Sequence, residues 1–427
     1  MLPLIAWAGA RRNIFRVMYT RMRSIAFGYL VLCLLAWGLK TVVALPGFWG
    51  YAPINLGIGP GSQPIELVVW FDDEQQPWMY AAAQNFHARR PSVSGRPITM
   101  RLVAMDSWEM VDRVARQDWG EYPPPTALSP ASSFWLDELQ IAWAGLNAGD
   151  PLVRNSVTPM VLSPLVLVAW EDRARRLWPD GMQRFWWDIH AAASDPEGWA
   201  GVTQRAGFAQ DAPQVAEAEA WGQLKLGLAD PLESTSGMQT LVLMAYGFYE
   251  RTSGLELADV RNPELRQWLD EIRQAVPQAD RSSADVMRSL VQFGPSRYDL
   301  ALVYEHVAIQ HLSEAQERWD ATLRVYYPPK TIFSDYPYAI LNAPLTSSDE
   351  RAAAERLRSF LRDRPQQQLA RQHGFRPADA AVPIMSEELS NPFYFYSSYG
   401  IQAQLGQQVE RLSREELDTL LILWANR

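Results

Sequence analysis

Two continuous apolar runs constrain the fold of this chain most strongly. IELVVWF (residues 65–71) and SPLVLVAW (residues 163–170) each have the length of a strand and are rich in β-branched and aromatic residues. Such a run is typical of a strand that is buried on both faces, as in a sheet covered by helices. The sequence therefore predicts an α/β fold with a buried sheet.

Helical segments alternate with these runs in the first half of the chain. A helix is predicted at residues 78–90, a strand at 98–105, and a second helix at 107–117 with Ser107 as its N-cap. This alternation is the signature of a domain with a parallel sheet. Residues 171–222 have many Trp and Ala residues and few strand signals, and they predict the helices and loops of a second lobe.

The second half of the chain continues the pattern. The predicted elements are helices at residues 237–249 and 263–276, strands at 298–306, 323–327 and 338–344, and one or two helices at 348–373.

Composition limits the possible functions. The chain has 427 residues, of which 48% are hydrophobic and 20% charged, as in ordinary globular proteins; this length favours two domains. A net charge of −9 argues against nucleic acid as a partner, because phosphate contacts need a basic face. The single cysteine, Cys33, and five scattered histidines predict no metal site. No cofactor is predicted.

The N-terminus carries a membrane signal. Residues 25–45 are apolar except for Lys40 and are about as long as a bilayer-spanning helix. Five arginines and no acidic residue precede this segment, which places the N-terminus in the cytoplasm. We therefore predict a cytoplasmic tail (1–24), a transmembrane anchor (25–45) and a Gly- and Pro-rich linker (46–64), with the rest of the chain outside the membrane.

Three alternatives remain open for the N-terminal segment. A cleaved signal peptide would end near Ala44, where the match to a cleavage site is poor. A lipoprotein would use Cys33, but Leu32 is bulky for the usual lipid-attachment motif. Arg11 and Arg12 match a twin-arginine export signal only in part.

Six motifs resemble one known family, and they occur in that family's order. They are LSPASSFW (128–135), SPLVLVAW (163–170), ADPLESTSGMQTL (229–241), LVYEHVA (302–308), VYYPPKTIFSDYPYAILNAP (325–344) and ERAAAERLRSFLRDRPQQQLARQHGFRP (350–377). The chain is similar, over roughly residues 65–427, to the extracytoplasmic solute-binding proteins of ABC importers. The branch it resembles includes molybdate-type binding proteins and modules fused to von Willebrand factor A domains.

The resemblance implies a two-lobed α/β fold of the type II periplasmic-binding-protein class, preceded here by the N-terminal transmembrane helix. Residues 65–163 would begin lobe 1, residues 164–325 would form lobe 2, and residues 326–427 would return to lobe 1 and add C-terminal helices. A small-molecule ligand would be held in the cleft between the lobes and trapped by hinge closure. An ABC permease is the implied protein partner.

Two groups of small hydroxyl residues are candidates for ligand binding. Ser132 and Ser133 precede a predicted helix, where they serve either as N-caps or as ligand contacts. Ser234, Thr235, Ser236 and Gly237 combine three hydroxyls with a glycine at a helix entry. This arrangement exposes backbone amides to polar ligand atoms.

Strand ends supply the remaining candidates. Tyr304 matches the position of a ligand-contacting tyrosine in molybdate-type relatives, and Glu305 either lines the cleft or forms a hinge salt bridge. Phe71 and Asp72 lie where oxyanion-binding relatives carry a small hydroxyl residue, and Asp73-Glu74 follow. Carboxylates at the cleft would repel a tetrahedral dianion and would favour a cationic, zwitterionic or hydroxyl-rich ligand. The alternative is that these carboxylates point to solvent.

The sequence thus predicts a membrane-anchored solute-binding protein rather than an enzyme. A ligand sensor or envelope scaffold of the same fold is the alternative. A hydrolase built on Ser234 or Ser236 is disfavoured, because no Gly-x-Ser-x-Gly elbow and no histidine in a triad context accompany these residues.

Overall fold

A computed structural model describes residues 63–146, 151–153, 157–342 and 345–426. The predicted tail, the transmembrane anchor and nearly all of the linker lie outside the described residues. Among the helices that are described, none is long and apolar enough to cross a bilayer. The chain divides into two compact units, Met1–Ile65 with Arg90–Thr99, and Glu66–Arg89 with Met100–Arg427.

The helices and strands follow the predicted order. The first elements are β1 (Ile65–Asp72), α1 (Gln76–Ala88), β2 (Ser92–Val93), β3 (Arg96–Met105), α2 (Ser107–Arg116), β4 (Ala127–Ser129), α3 (Phe134–Leu146), β5 (Val161–Trp170), α4 (Glu171–Leu177), α5 (Phe185–Ala193), α6 (Trp199–Arg205), α7 (Pro213–Glu219), β6 (Leu226–Gly227) and α8 (Thr235–Phe248). The remaining elements are α9 (Leu257–Val260), α10 (Pro263–Gln274), α11 (Ser283–Phe293), β7 (Leu300–Tyr304), α12 (Glu305–Arg318), β8 (Leu323–Tyr326), β9 (Lys330–Thr331), β10 (Phe333–Ser334), β11 (Ala339–Ile340), α13 (Ser348–Arg362), α14 (Arg364–Gln372), β12 (Arg376–Pro377), α15 (Pro392–Phe395), β13 (Gln407–Gln408) and α16 (Arg414–Ala425).

In the smaller unit, the structure describes a tight turn. Strand β2 pairs antiparallel with the start of β3, so that Val93 lies opposite Arg96. The two residues between them, Ser94 and Gly95, both have positive φ angles. Two such residues are typical of the turns that join hairpin strands.

The first sheet of the larger unit has the order β11-β4-β1-β3. β1 is parallel to β4, with Val69 opposite Ala127, and β11 is antiparallel to β4, with Ala339 opposite Leu128. Every residue of β1 except Glu66 is buried. The prediction of a fully covered strand paired in parallel is therefore confirmed.

The second sheet is built around β5. Its order is β10-β5-β7-β6, and β8 and β12 also pair with β5. β5 is antiparallel to β7 and β8, whereas β6 and β7 are parallel. The side chains of β5 are buried along its length except for Leu162, which is partly buried, because helices α4, α8 and α12 pack against this strand.

The two sheets define two lobes, and the chain passes between them at least three times, the last when β12 pairs with β5 and the C-terminal residues pack on the second core. It enters the second sheet through β5 and returns to the first between β10 and β11. Where β5 begins, Ser163 lies opposite Ser334 and Pro164 lies opposite Phe333. These paired segments connect the lobes, as expected for a two-lobed binding-protein fold.

Each lobe has its own hydrophobic core. Trp70 and Leu139 belong to the cluster around the first sheet, and Leu167 and Leu243 belong to the cluster around the second. The second core also takes up residues near the C-terminus, such as Leu420. Helix α16, which carries Leu420, packs against α8, α9 and α10.

Two local predictions need correction, and a choice that the sequence left open is decided. Ser107 is the first residue of α2 rather than its N-cap, because its hydroxyl is bonded to Asp72 instead of to the helix. Of the strand predicted at 338–344, the structure describes residues 338–342, and among these only Ala339–Ile340 form a strand. The choice between one and two helices at 348–373 is decided in favour of two, because α13 ends and α14 begins at Asp363, whose backbone is extended and precedes a proline in the first turn of α14.

Candidate functional site

Loops from the first lobe meet helix starts of the second lobe around a small cavity. From the first lobe come Asp72–Glu74, which follow β1, and residues 106–108, which follow β3. From the second lobe come residues 233–236 at the start of α8 and Ser282 before α11. The cavity measures about 10 Å³, roughly the room that one water molecule needs. The lobes are therefore closed on each other here.

Asp72 is the most deeply held carboxylate of this site. Its Oδ2 accepts the hydroxyl hydrogen bond of Ser107 at 2.5 Å, and its Oδ1 accepts the backbone N–H of Glu74 at 3.3 Å. Burial, together with the nearby charge of Asp73, raises the pKa of Asp72 well above its ordinary value. The site thus disfavours the ionised form of Asp72 unless a positive charge compensates it.

Glu74 links the two lobes directly. Its Oε1 accepts the backbone N–H of Ala284 at 3.3 Å, in the first turn of α11. The free N–H groups of a helix N-terminus attract negative groups. Even so, burial and the charges of Asp72 and Asp73 raise the pKa of Glu74 well above its ordinary value. A protein carboxylate thus occupies the position at which an anionic ligand would bind this helix.

Asp106 lies at the edge of the cavity and is partly buried. Burial and the charge of Asp73 raise its pKa from 3.8 to about 6, although Arg281 opposes the shift. The Arg281 guanidinium lies 3.7 Å from the Asp106 carboxylate. A wider cavity of about 320 Å³ adjoins here and is lined by charges of both signs, including Arg288 and Asp285.

The hydroxyl residues of α8 face the carboxylates. The Oγ atoms of Ser234 and Ser236 are 2.9 Å apart, and both residues line the small cavity. Ser234 occupies the N-cap position of α8, but its side chain makes no capping hydrogen bond. Thr235 accepts the indole N–H of Trp135 at 2.8 Å, which ties the start of α8 to α3 of the first lobe.

Gly237 has a packing role that the sequence did not show. A Cβ atom at this position would lie 2.4 Å from the carbonyl oxygen of Ala229 and 2.6 Å from the backbone of Asp230. This close approach explains the glycine, and Gly237 is not among the described residues that line the small cavity. Its contact with a ligand stays a prediction.

Ser132 and Ser133 lie away from the small cavity. The Oγ of Ser132 accepts the backbone N–H of Phe134 at 3.3 Å, and Ser132 lines a separate, larger cavity. The backbone N–H of Ser133 donates to the Asp335 carboxylate at 2.7 Å, and the Ser133 hydroxyl oxygen accepts a hydrogen bond from the Arg411 guanidinium. For this pair, capping and structural contacts fit the geometry better than contact with a ligand in the small cavity.

The remaining candidates are Phe71, Tyr304 and Glu305. All three are fully buried, and none is among the described residues that line the small cavity. Phe71 packs edge-on against Tyr80. Tyr304 donates its hydroxyl to Gln239 at 3.1 Å. Glu305 is paired with Arg376, so the open choice between cleft and salt bridge is decided in favour of the salt bridge. The contacts of Phe71 and Glu305 are thus structural ones, and their binding of a ligand stays a prediction without support from this geometry.

Sequence reasoning missed Asp106, Ser107, Trp108 and Ser282 as lining residues. The signal was available for the first three, because they follow β3 just as Asp72 follows β1. Trp108 is 45% exposed, and an aromatic face is suited to a cationic group. Within the described part of the chain, no group of three or more His, Cys, Asp or Glu residues is placed to hold a metal ion.

Solved structures share this architecture. A ferric binding protein from Campylobacter jejuni aligns with a TM-score of 0.52 and 10% identity, covering 84% of this chain and 97% of that one. A putative spermidine/putrescine ABC transporter from Listeria monocytogenes aligns with a TM-score of 0.51 and 13% identity, covering 85% and 99%. The substrate binding protein of an ABC transporter from Agrobacterium tumefaciens gives 0.51 and 12%, covering 85% and 94%. At these identities the likeness shows the fold alone.

Sequence comparison goes further than the fold. No curated protein matches the chain. The model of the family described as bacterial extracellular solute-binding protein, however, matches residues 67–376, which is more than half of the chain and includes both sheets. The chain therefore belongs to the family of bacterial extracellular solute-binding proteins.

Proposed function

We propose that this protein captures a small, positively charged ligand between its lobes and presents it to an ABC permease. One observation carries the proposal: acidic groups from both lobes line the same cavity. The acidic residues are Asp72, Asp73, Glu74 and Asp106 from the first lobe and Glu233 from the second, and none of the described lining residues is basic.

The charge balance of the cavity favours a cation over an anion. Burial and mutual repulsion raise the pKa values of Asp72, Glu74 and Asp106. A cation bound among these carboxylates would stabilise their ionised forms, whereas an oxyanion would add a further like charge. The N-terminus of α11 is also already in contact with Glu74.

Polar and aromatic groups complete the proposed binding site. The hydroxyls of Ser234 and Ser236 provide acceptors opposite the carboxylates, and the exposed ring of Trp108 provides a face for a cationic group. Because the cavity holds only about 10 Å³ in the closed arrangement, the lobes must separate to admit a ligand. Hinge closure at the segments that join the lobes would then trap it.

The proposed site of action is the outer face of the cytoplasmic membrane. Residues 25–45 would anchor the chain, and the five preceding arginines would keep the tail inside. Mass spectrometry of the protein purified from membranes tests this part. The intact N-terminus is expected, while a new N-terminus after Ala44 or a lipid on Cys33 would refute the anchor.

A thermal-shift screen of the purified protein tests the ligand class. Polyamines and basic amino acids should include a compound that raises the unfolding temperature, since a ligand at one hundred times its Kd stabilises by about 2.7 kcal/mol. Sulfate and molybdate should give no shift. A shift with oxyanions alone would overturn the cation proposal.

A matched pair of variants tests whether the cation binds in the acidic cavity between the lobes. Asp72→Asn removes one charge from the cavity with little change of shape, and it should weaken binding of the cation found in the screen. Asp180→Asn removes the same charge from an exposed loop after α4 and should leave binding unchanged. Equal affinities for the two variants would place the ligand elsewhere.

A further inference from the structure

A second, larger cavity lies beside the segments that join the lobes. It measures about 370 Å³, which falls within the range of small-molecule sites. Its inner walls include Leu162 of β5 and Met238 and Val242 of α8. They also include Ile332 and Phe333, at the start of the segment that leads back to the first lobe (residues 332–338, the return segment). It is distinct from the acidic cavity, with which it shares no lining residue.

The outer wall of this cavity comes from the C-terminal part of the chain. Val409, Leu412 and Leu417 close it, and they lie beyond residue 376, where the match to the solute-binding family ends. Val409 and Leu417 are buried and belong to the same core cluster as Val242. This wall is therefore an ordered part of the fold.

The residues that line this cavity indicate which class of molecule it would bind, called the guest below. Most lining residues are apolar. An ordered water needs two to four polar partners, so this lining suits an apolar molecule better than water. The charged groups at the rim, Arg411 and Asp335, lie 3.7 Å apart and neutralise each other, so the rim offers no net charge to an ion. On the inner wall, the Gln239 side-chain nitrogen has only long hydrogen bonds, of 3.4 Å to Ser334 and 3.5 Å to Phe333.

We infer that this cavity is a second binding site, for a small uncharged molecule with an apolar body and a single hydroxyl or carbonyl group. The apolar body would pack against Met238, Val242 and Leu412, and the polar group would bond to the Gln239 amide. The guest would contact both the return segment and α8, the helix whose first residues line the acidic cavity.

Photolabelling of the full chain tests this site. The probe is octanol that carries a photoactivatable diazirine, and adducts are located by mass spectrometry of proteolytic peptides. Adducts are expected on peptides that contain Met238, Val242 or residues 408–417. An excess of unlabelled 1-octanol should suppress them. Adducts confined to other parts of the protein would overturn the inference.

Two variants fill the cavity and one matched variant does not. Leu412→Trp places an indole in the space from its outer wall, and Val242→Phe fills it from α8, so adduct yield there should fall at least about fivefold. Ile422→Trp adds the same indole on the exposed face of α16, where Ile422 is 56% exposed, and labelling should persist. Unchanged labelling in a filled variant that unfolds at the wild-type temperature would refute the site.

Discussion

Arg376 holds the carboxylate of Glu305 with two hydrogen bonds, from Nε to Oε2 at 2.6 Å and from Nη2 to Oε1 at 2.7 Å. Tyr327 also donates its hydroxyl to this carboxylate. The guanidinium further donates to the backbone carbonyls of Gln402 and Ala403. One buried pair thus joins the start of α12 to β12 and to the C-terminal part of the chain.

Breaking this pair from one side should destabilise the protein strongly. Arg376→Met leaves Glu305 buried without its partner and should lower the free energy of unfolding by about 3–5 kcal/mol. Urea denaturation measures the loss. Arg175→Met removes an exposed partner of Glu171 and should cost at most about 1 kcal/mol. Similar losses in the two variants would mean that the Glu305 pair contributes no more than a surface pair.

Variants of the hydroxyl residues at the start of α8 should affect ligand affinity and stability differently. Ser236→Ala removes a group that lines the acidic cavity and should weaken cation binding about tenfold, since a lost hydrogen bond costs on the order of 1 kcal/mol. Thr235→Ala should also lower stability without ligand, because it leaves the Trp135 indole N–H without its acceptor. Isothermal titration and urea unfolding of each variant measure the two effects. Unchanged affinity in Ser236→Ala would make its hydroxyl structural.

Gly237 and Gly145 form a matched pair of glycines in helices. Gly237→Ala would force a methyl group to within 2.4 Å of the Ala229 carbonyl oxygen and should lower the unfolding temperature. At Gly145 no atom lies within 4 Å of an added Cβ, so Gly145→Ala should raise stability by up to about 1 kcal/mol. If Gly237→Ala were also stabilising, the close approach at the start of α8 would not exist.

The elements of the fold were largely predictable because their signals are local. The buried runs of β1 and β5 and the amphipathic segments gave strands and helices close to the observed bounds. Features that depend on distant partners were not predictable. The hydrogen bond from Ser107 to Asp72 overrides the capping preference of serine, and no pattern near Gly237 indicates the backbone of Ala229.

The candidate site was predictable only in part, for the same reason. Asp72 and residues 234–236 could be predicted as site residues because strand ends and helix starts converge in such folds. These residues do line one cavity. Tyr304 and Glu305 also lie at a strand end, but they face inward, toward Gln239 and Arg376. Position along a strand thus indicates the edge of the sheet, while the side-chain partners decide whether a residue reaches the cleft.

The raised carboxylate pKa values give the protein opposite pH dependences with and without ligand. Asp106 titrates at about 6 in the folded protein, up from 3.8, so the folded state binds its proton more tightly than the unfolded state does. Without ligand, this group adds stability as the pH falls through about 6 toward 4. Cation affinity should fall over the same range, because protons compete for the carboxylate. Calorimetric titration and urea unfolding between pH 7.5 and 4.5 measure the two trends.

Comparison with Asp106→Asn isolates this contribution from other titrating groups. His306, for example, acts in the opposite direction, because burial lowers its pKa to about 3 and the folded state loses stability as the pH falls below 6.5. The difference between wild type and Asp106→Asn cancels such terms and should show added wild-type stability at acid pH. The variant should bind the cation more weakly at pH 7.5 and lose less affinity on acidification. If wild-type affinity stayed constant from pH 7.5 to 5, the ligand would not bind at these carboxylates.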